Sequence, residues 1–260
     1  MNKPPPAYVP GHGLLTGKTV LITAAAGTGI GFATARRCVE EGAMVVISDK
    51  HERRLAESAE QLTEMAGSPV LGVPCDVTRQ SDVDRLFSAA ISATGGLDIV
   101  INNAGLGGTA NIIDMTDDQW NLVLDVTLNG TFRCMRAAMQ HMIPKGSGRI
   151  VNNASVLGWR AQEGQAHYAA AKAAVMAVTR CAAIEGGPHG VRVNAVAPSL
   201  AMHPFLAKVT SEELLVELAA KEAFGRYAEP WEVANVIVFL ASDYSSYMTG
   251  EVVSVSNQHA

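Results

Sequence analysis

The chain has 260 residues, 48% of them hydrophobic and 17% charged, so it is long enough to bury a large core. A net charge of −5 and the lack of a Lys/Arg cluster argue against a nucleic-acid partner. The cysteines lie far apart without metal-ligand spacing, which favours buried thiols in a reducing compartment and no metal. We find no signal peptide or membrane span and expect a cytoplasmic protein without a membrane partner. The cysteines are Cys38, Cys75, Cys134 and Cys181.

Short apolar runs alternate with amphipathic segments after an irregular, Pro-rich leader at residues 1–16. Continuous apolar strands separated by helices predict a parallel sheet covered on both faces, with ligands at the carboxyl ends of the strands. No linker divides residues 17–260, so we expect one Rossmann-type, doubly wound α/β domain of three layers. The predicted strands are KTVLIT, MVVISD, VLGVPC, LDIVIN, RIVNNA, VRVNAV and EVVSVS.

The segment TAAAGTGIG (residues 23–31) joins the first strand to the first helix. Glycines let a backbone approach a pyrophosphate, and the N–H groups at a helix amino terminus attract anions. The turn therefore favours a dinucleotide site over a tight turn that only packs a helix against a strand. The residues expected to contact the dinucleotide are Thr23, Ala25, Gly27, Thr28, Gly29 and Ile30.

Two carboxylates follow the second and third predicted strands. Asp49 suits hydrogen bonds to the adenosine ribose and would repel a 2′-phosphate, so NAD is expected over NADP. NADP stays possible because Lys50, Arg53 and Arg54 follow closely. Asp76, next to Val77, is placed to reach the adenine, but both aspartates are equally ordinary helix caps.

Tyr168 and Lys172 are four residues apart on a predicted helix, so their side chains share one face. A phenol with a pKa of about 10 is a poor acid–base group at neutral pH, and a nearby ammonium is expected to lower that pKa. Ser155 ends the preceding strand and is placed to bind the same substrate oxygen. The three residues predict the interconversion of an alcohol and a carbonyl group.

These motifs together resemble those of the short-chain dehydrogenase/reductase family over residues 18–255. The resemblance implies a twisted seven-stranded parallel sheet, NAD(H) or NADP(H), and a homotetramer or dimer built on long helices near residues 116–143 and 166–186. It assigns proton exchange to Tyr168, the nicotinamide ribose and the phenol pKa to Lys172, and substrate orientation to Ser155. The matching motifs are the glycine turn, Asp76–Val77, NNAG (Asn102 to Gly105, with Asn103, Ala104 and Gly105 beside the cofactor), Ser155, YAAAK, VRVNAVAP and MTGEVVSV.

Three positions depart from the family pattern. Ala24 stands where the turn usually begins with glycine, and the turn is one residue longer. The usual catalytic asparagine is replaced by Thr127, and we favour its hydroxyl over Asn129 as the group that holds a relay water. After Pro198, Ser199 and the histidine of SLAMH replace residues that usually touch the cofactor.

The expected substrate wall is apolar and bulky, although packing of a lid around residues 199–225 is an equal explanation for any one of these residues. Three segments resemble those of an actinobacterial branch of the family, namely the glycine turn, NNASVLGWRAQ and the carboxyl terminus. Enzymes of that branch act on a hydroxylated methyl-oxo-hydroindane carboxyl-CoA thioester in steroid ring breakdown. Two alternatives stay open, an NADP-dependent 3-oxoacyl-thioester reductase and a catalytically silent dinucleotide-binding protein. The predicted wall comprises Gly107, Trp159, Gln162, Met202, Phe205 and Leu206, with Arg160 at its rim; His167 and His203 are expected to be structural or solvated.

Overall fold

The computed structural model describes residues 4–202 and 212–257. Seven parallel strands form one sheet in the order β3-β2-β1-β4-β5-β6-β7, which confirms the predicted doubly wound topology. The strand order reverses between β1 and β4, so a crevice lies above their carboxyl ends. The strands are β1 (Thr19–Ile22), β2 (Met44–Asp49), β3 (Leu71–Pro74), β4 (Ile99–Asn102), β5 (Gly148–Asn153), β6 (Val191–Pro198) and β7 (Val252–Val255).

Helices cover both faces of the sheet, and alternate residues of each strand enter one of two large cores. In β1, Val20 and Ile22 pack toward the face of α1, α2 and α8, whereas Leu21 packs toward α3, α5 and α6. The helices are α1 (Ile30–Glu40), α2 (Glu52–Ala66), α3 (Gln80–Thr94), α4 (Asp117–Leu124), α5 (Gly130–Lys145), α6 (Ala166–Gly186), α7 (Glu212–Lys221) and α8 (Pro230–Ala241).

A π-helical segment, Asp125–Asn129, joins α4 to α5. The long helix expected near residues 116–143 is therefore continuous in direction but has a widened turn in its middle. Such turns are rare and frequently occur at functional sites. Here the segment faces the carboxyl ends of the central strands.

The leader has no helix or strand between residues 4 and 16, yet it is docked on the end of α1. The Glu41 carboxylate accepts hydrogen bonds from the N–H groups of His12 and Leu14, at 2.8 and 2.9 Å, and pairs with the buried Arg37. Tyr8 packs edge-on against Trp231 of α8. Within the described residues, no helix is long and apolar enough to cross a membrane.

Candidate active site

The turn after β1 has two residues with positive φ. Gly27 has φ +94°, and Ala24 has φ +50°, a conformation that costs a residue with a Cβ about 1–2 kcal/mol. Gly31 lies where a Cβ would meet the Ala24 carbonyl oxygen at 2.3 Å and the Asn103 side chain at 2.5 Å. Close packing at the start of α1 thus requires glycine at residue 31, while the first position of the turn holds an alanine under strain.

The turn is tied to the neighbouring strand by Thr23 and Asn103. The buried Thr23 hydroxyl accepts from the N–H groups of Asn103 and Ala104, at 3.0 and 3.2 Å. The Asn103 amide donates to the carbonyls of Thr23 and Ala24, at 3.2 and 2.9 Å. These hydrogen bonds join the loops that follow β1 and β4 and form the floor of the crevice in which a dinucleotide would lie.

The next two strands contribute the predicted carboxylates. Asp49 is buried and accepts from the His51 N–H at 2.9 Å, with a longer contact of 3.4 Å from the Ala26 N–H. Asp76 accepts from the N–H and hydroxyl of Thr78. Burial opposes its ionisation, but these hydrogen bonds outweigh burial and keep the pKa of Asp76 below its ordinary value. Both side chains thus order their own loops, and both reach the same edge of the sheet.

Ser155, Tyr168 and Lys172 lie together at the end of β5 and the start of α6. The Ser155 and Tyr168 hydroxyls are hydrogen-bonded to each other, and the Lys172 Nζ lies 5.5 Å from the centroid of the Tyr168 ring. Ser155 and Lys172 are buried, and the Lys172 ammonium donates to the Asn153 carbonyl at 2.5 Å. The predicted serine, tyrosine and lysine are thereby brought into one cluster.

The pKa values of this pair differ from the expectation. Burial raises the pKa of Tyr168 above its ordinary value, although the Ser155 hydrogen bond acts to lower it. Burial lowers the pKa of Lys172 to about 8. The expected lowering of the phenol pKa by Lys172 is wrong for this geometry, because removal of water disfavours both charged forms and the ammonium bonds to a backbone carbonyl instead. The site holds its tyrosine as a neutral proton donor.

Thr127 binds the loop that follows β4. Its fully buried hydroxyl donates to the Leu106 carbonyl at 3.2 Å and accepts from the Leu106 N–H at 3.0 Å. The hydroxyl proton is thus engaged by the backbone while the oxygen keeps a second lone pair, and the assignment of a relay water to Thr127 stays a prediction. Asn129, the alternative, is exposed and donates to Asp125 at 3.1 Å. The π-helical segment thus fixes the loop after β4.

The predicted wall residues in the described part of the chain lie on three separate segments. A Cβ on Gly107 would lie 3.8 Å from the Tyr168 ring, so this loop flanks the phenol. Trp159 is 46% exposed and Gln162 is also exposed, both on the loop between β5 and α6. Met202 is half-buried, and its N–H bonds to Ala228. His203, Phe205 and Leu206 lie outside the described residues.

His167 is buried beneath the loop after β4, which agrees with a structural role. A Cβ on Gly108 would lie 3.2 Å from its Nε2. Burial lowers the pKa of His167, so the ring is neutral near pH 7. With Leu106, Gly107 and Gly108, it lines a cavity of about 100 Å³.

The remaining predicted cofactor residues occupy the same edge. Ala25 is buried and bonds to the Ser48 carbonyl, Thr28 is exposed, and Ile30 begins α1. Pro198 ends β6, and the Ser199 N–H bonds to Val255 at 3.1 Å. Two contributors were missed by sequence reasoning, Leu106 and Asn153. The only sequence signal for either residue is the Asn–Asn doublet of residues 102–103, which is repeated at residues 152–153 and includes Asn153.

The Val77 carbonyl accepts a hydrogen bond from the Arg133 side chain of α5 at 3.2 Å. A Cβ on Gly130 would lie 2.6 Å from the Val77 side chain, so α5 packs closely against Val77. A Cβ on Gly105 would lie 3.3 Å from the Lys172 Nζ, so a side chain at residue 105 would crowd the ammonium group. A floor of backbone groups, a crowded Gly31 and carboxylates at the adjacent strand ends fit a dinucleotide in the crevice. The fold and this site define a dinucleotide-dependent oxidoreductase.

Comparison with known proteins agrees with that class. The sequence model described as "Enoyl-(Acyl carrier protein) reductase" matches residues 24–257. The chain is 62% identical to the (5R,7aS)-5-hydroxy-7a-methyl-1-oxo-2,3,5,6,7,7a-hexahydro-1H-indene-carboxyl-CoA reductase of Mycobacterium tuberculosis, over 98% of this chain and 97% of that protein. It is 36% identical to a 3-oxoacyl-[acyl-carrier-protein] reductase of Thermotoga maritima, over 93% and 97% of the two chains.

A solved structure shares the fold closely. The crystal structure of a short chain dehydrogenase from Mycobacterium smegmatis is 56% identical, covers 98% of both chains and superposes with a TM-score of 0.88. The chain belongs to the short-chain dehydrogenase/reductase family. Its cofactor is therefore NAD or NADP, and its substrate is a small molecule.

Proposed function

We propose that this protein interconverts a ring hydroxyl and a ketone on a hydroxy-methyl-oxo-hydroindane carboxyl-CoA thioester, using NAD(H), within steroid and cholesterol ring breakdown in the cytoplasm. The observation that carries the reaction type is the cluster of buried Ser155, half-buried Tyr168 and buried Lys172 at the edge of the sheet that also carries the glycine turn. The substrate is supported by 62% identity to the relative that bears this name.

Each residue of the cluster has a distinct task in this proposal. Tyr168 donates its phenolic proton to the carbonyl oxygen during reduction and takes it back during oxidation. The Ser155 hydroxyl, already bonded to the phenol, orients the same oxygen. Lys172 binds the nicotinamide ribose and supplies a positive charge below its pKa of about 8. The nicotinamide supplies or accepts the hydride when it is bound.

The dinucleotide is held, in this proposal, by the turn and by the residues at the ends of the next strands. Asp49 favours NAD, because a buried carboxylate at the end of β2 would repel a 2′-phosphate. The adenine lies near Asp76 and Val77, and Ser199 lies at the nicotinamide end. The full set is Thr23, Ala25, Gly27, Thr28, Gly29, Ile30, Asp49, Asp76, Val77, Asn103, Ala104, Gly105, Tyr168, Lys172, Pro198 and Ser199.

The hydroindane skeleton is proposed to lie between Gly107 and the loop of Trp159 and Gln162. Trp159 offers exposed apolar area, which suits a fused hydrocarbon ring. Met202 borders the other side. Residues 199–225 are proposed as a lid, and Phe205 belongs to the same predicted wall but lies outside the described residues.

We also propose a homotetramer, or a dimer, built on α5 and α6. Phe132 of α5 and Ile184 of α6 are large apolar side chains that are 45% and 78% exposed, and an assembly on these helices would bury them. Analytical ultracentrifugation tests this assembly directly. A monomer at micromolar concentration would contradict it.

A 3-oxoacyl-thioester reductase using NADP is the second candidate, supported by the relative from Thermotoga maritima. The deciding experiment is a panel of both thioesters, assayed with NADH and with NADPH by absorbance at the nicotinamide wavelength. We expect turnover of the hydroindane thioester and a preference for NADH. Faster turnover of a linear 3-oxoacyl thioester with NADPH would establish the alternative, and cofactor binding without any turnover would indicate a silent dinucleotide-binding protein.

A further inference from the structure

An Asn–Asn doublet occurs twice in the chain, at residues 102–103 and 152–153. The parallel register of β4 and β5 pairs Asn102 with Asn152, so the two doublets lie side by side at the carboxyl ends of the central strands. Successive side chains of a strand point to opposite faces. Each doublet therefore sends one amide to each face of the sheet.

The first rung faces α5 and α6 and serves the core. The Asn102 amide donates to Asn152 at 2.8 Å, and the Asn152 amide donates to the Thr179 hydroxyl at 2.9 Å. Asn102, Asn152 and Thr179 are all buried. This rung fastens the central strands to α6.

The second rung faces α1 and leads to the cofactor turn. The Asn153 amide donates to the Asn103 Oδ1 at 2.9 Å, while the Asn103 amide holds the carbonyls of Thr23 and Ala24. The Asn153 Oδ1 is buried and has no hydrogen-bond partner among the described residues. The bond to Asn103 is therefore the side-chain anchor that the described contacts give Asn153.

The backbone of the same residue leads to the catalytic cluster. The Asn153 carbonyl accepts from the Lys172 ammonium at 2.5 Å. Asn153 ends β5, two residues before Ser155, so a shift of its backbone would move both groups. One residue thus touches the cofactor turn through its side chain and the lysine through its main chain.

We propose that Asn153 is a positioning residue that couples the cofactor turn to Lys172, through the series Ala24 carbonyl, Asn103 amide, Asn153 amide and Asn153 carbonyl. The inference rests on the proposed function in assigning the nicotinamide ribose to Lys172. An asparagine suits this position because its side-chain amide has a rigid shape and donates the hydrogen bond to the Asn103 Oδ1. Leucine has a similar volume but leaves the Asn103 Oδ1 without its donor, a costly loss in a buried site.

The test compares Asn153→Leu and Asn153→Asp with the matched control Asn121→Leu, an exposed asparagine of α4 outside the series. NADH affinity is measured by fluorescence titration, and the pH profile of kcat is measured in the direction of reduction. We expect both Asn153 variants to bind NADH about tenfold more weakly. We also expect Asn153→Leu to lose its rate at lower pH than the wild type, whose rate falls above about pH 8, because a displaced carbonyl no longer stabilises the ammonium. The control should match the wild type in both measurements.

A double-mutant cycle on the cofactor-free protein gives a readout without substrate or cofactor. We expect the pair Asn103→Ala and Asn153→Leu to be non-additive, with the double variant unfolding at the urea concentration of the weaker single variant. Additive effects, an unchanged NADH affinity, or an unchanged pH profile would each overturn the proposal. The cycle and the titration give their result even if the substrate assignment is wrong.

Discussion

The glycine turn and the Ser155–Tyr168–Lys172 cluster lie at the same edge of the sheet but are held by different forces. The turn is held through main-chain groups, with the Asn103 amide on the carbonyls of Thr23 and Ala24. The cluster depends on side chains, and the loss of water disfavours the charged forms of Tyr168 and Lys172. The turn therefore tolerates an unusual residue such as Ala24, whereas the cluster depends on side-chain identity.

The largest expected effect is at the cluster, on replacing Tyr168 with phenylalanine. The ring still fills its space, but the proton donor is gone, so kcat should fall by about 10²–10⁴-fold while NADH affinity is kept. Stopped-flow absorbance and fluorescence titration measure the two quantities. Tyr244→Phe, at a 76% exposed position, is the control and should leave kcat unchanged. Undiminished turnover of Tyr168→Phe would refute the assigned proton donor.

The next largest effect is expected at Gly31, where an added methyl group should disrupt the packing of α1 against the glycine turn. The new Cβ would approach the Ala24 carbonyl oxygen at 2.3 Å and the Asn103 amide at 2.5 Å, so α1 must move away from the turn. We expect Gly31→Ala to lower the free energy of unfolding by about 1–3 kcal/mol and to weaken NADH binding. Gly187→Ala, where a Cβ has no neighbour within 4 Å, should be nearly neutral. Equal stability of the two variants in urea would show that the turn can relax.

Lys172→Met separates activity from stability. The pKa of Lys172 in the folded state, about 8, is below the unfolded value of about 10.4, so the unfolded chain binds more protons between these two pH values. Wild-type stability should therefore rise from pH 8 to pH 10, and below pH 8 the full cost of burying the charge remains. Methionine removes that cost, and after subtraction of the lost hydrogen bond we expect a gain of about 1–2 kcal/mol at pH 7. Urea unfolding at pH 7 and 9.5 checks both statements.

The activity and the stability of Lys172→Met should change in opposite directions. Lys172→Met should be inactive, so the gain in stability would come with a loss of function. Lower stability than the wild type at pH 7 would mean that the bond to Asn153 outweighs the cost of burial.

The smallest effect is expected at Ala24. Glycine at residue 24 would relieve the positive φ and stabilise the folded state by about 1–2 kcal/mol. It would also remove a packed methyl group, and the unfolded chain would lose more conformational entropy on folding, so both of these effects destabilise the folded state. These terms nearly cancel, so Ala24→Gly should change the free energy of unfolding by less than about 0.5 kcal/mol. Gly27→Ala, with φ +94° and no neighbour for its methyl, should cost about 1 kcal/mol or more. If Ala24→Gly proves the larger change, Ala24 is strained without compensation.

The sequence was sufficient for the order of elements and for the identity of the central residues. The central strands are apolar runs buried on both faces, and the edge strands β3 and β7 are only partly buried, but all seven could be located from the sequence pattern. The spacing of Tyr168 and Lys172 on α6 follows from helix geometry, and the turn at residues 23–31 follows from its glycines. These features are local, and local pattern determines them.

Tertiary structure decided everything that depends on contacts between distant segments. Thr127 meets Leu106, 21 residues away, and Asn153 meets Asn103, 50 residues away; no spacing rule predicts either bond. The direction of the Tyr168 pKa was mispredicted, because the sequence places a lysine nearby but does not show how much water the fold removes. Sequence by itself thus determined which groups are present, and packing decided which of them touch and how they ionise.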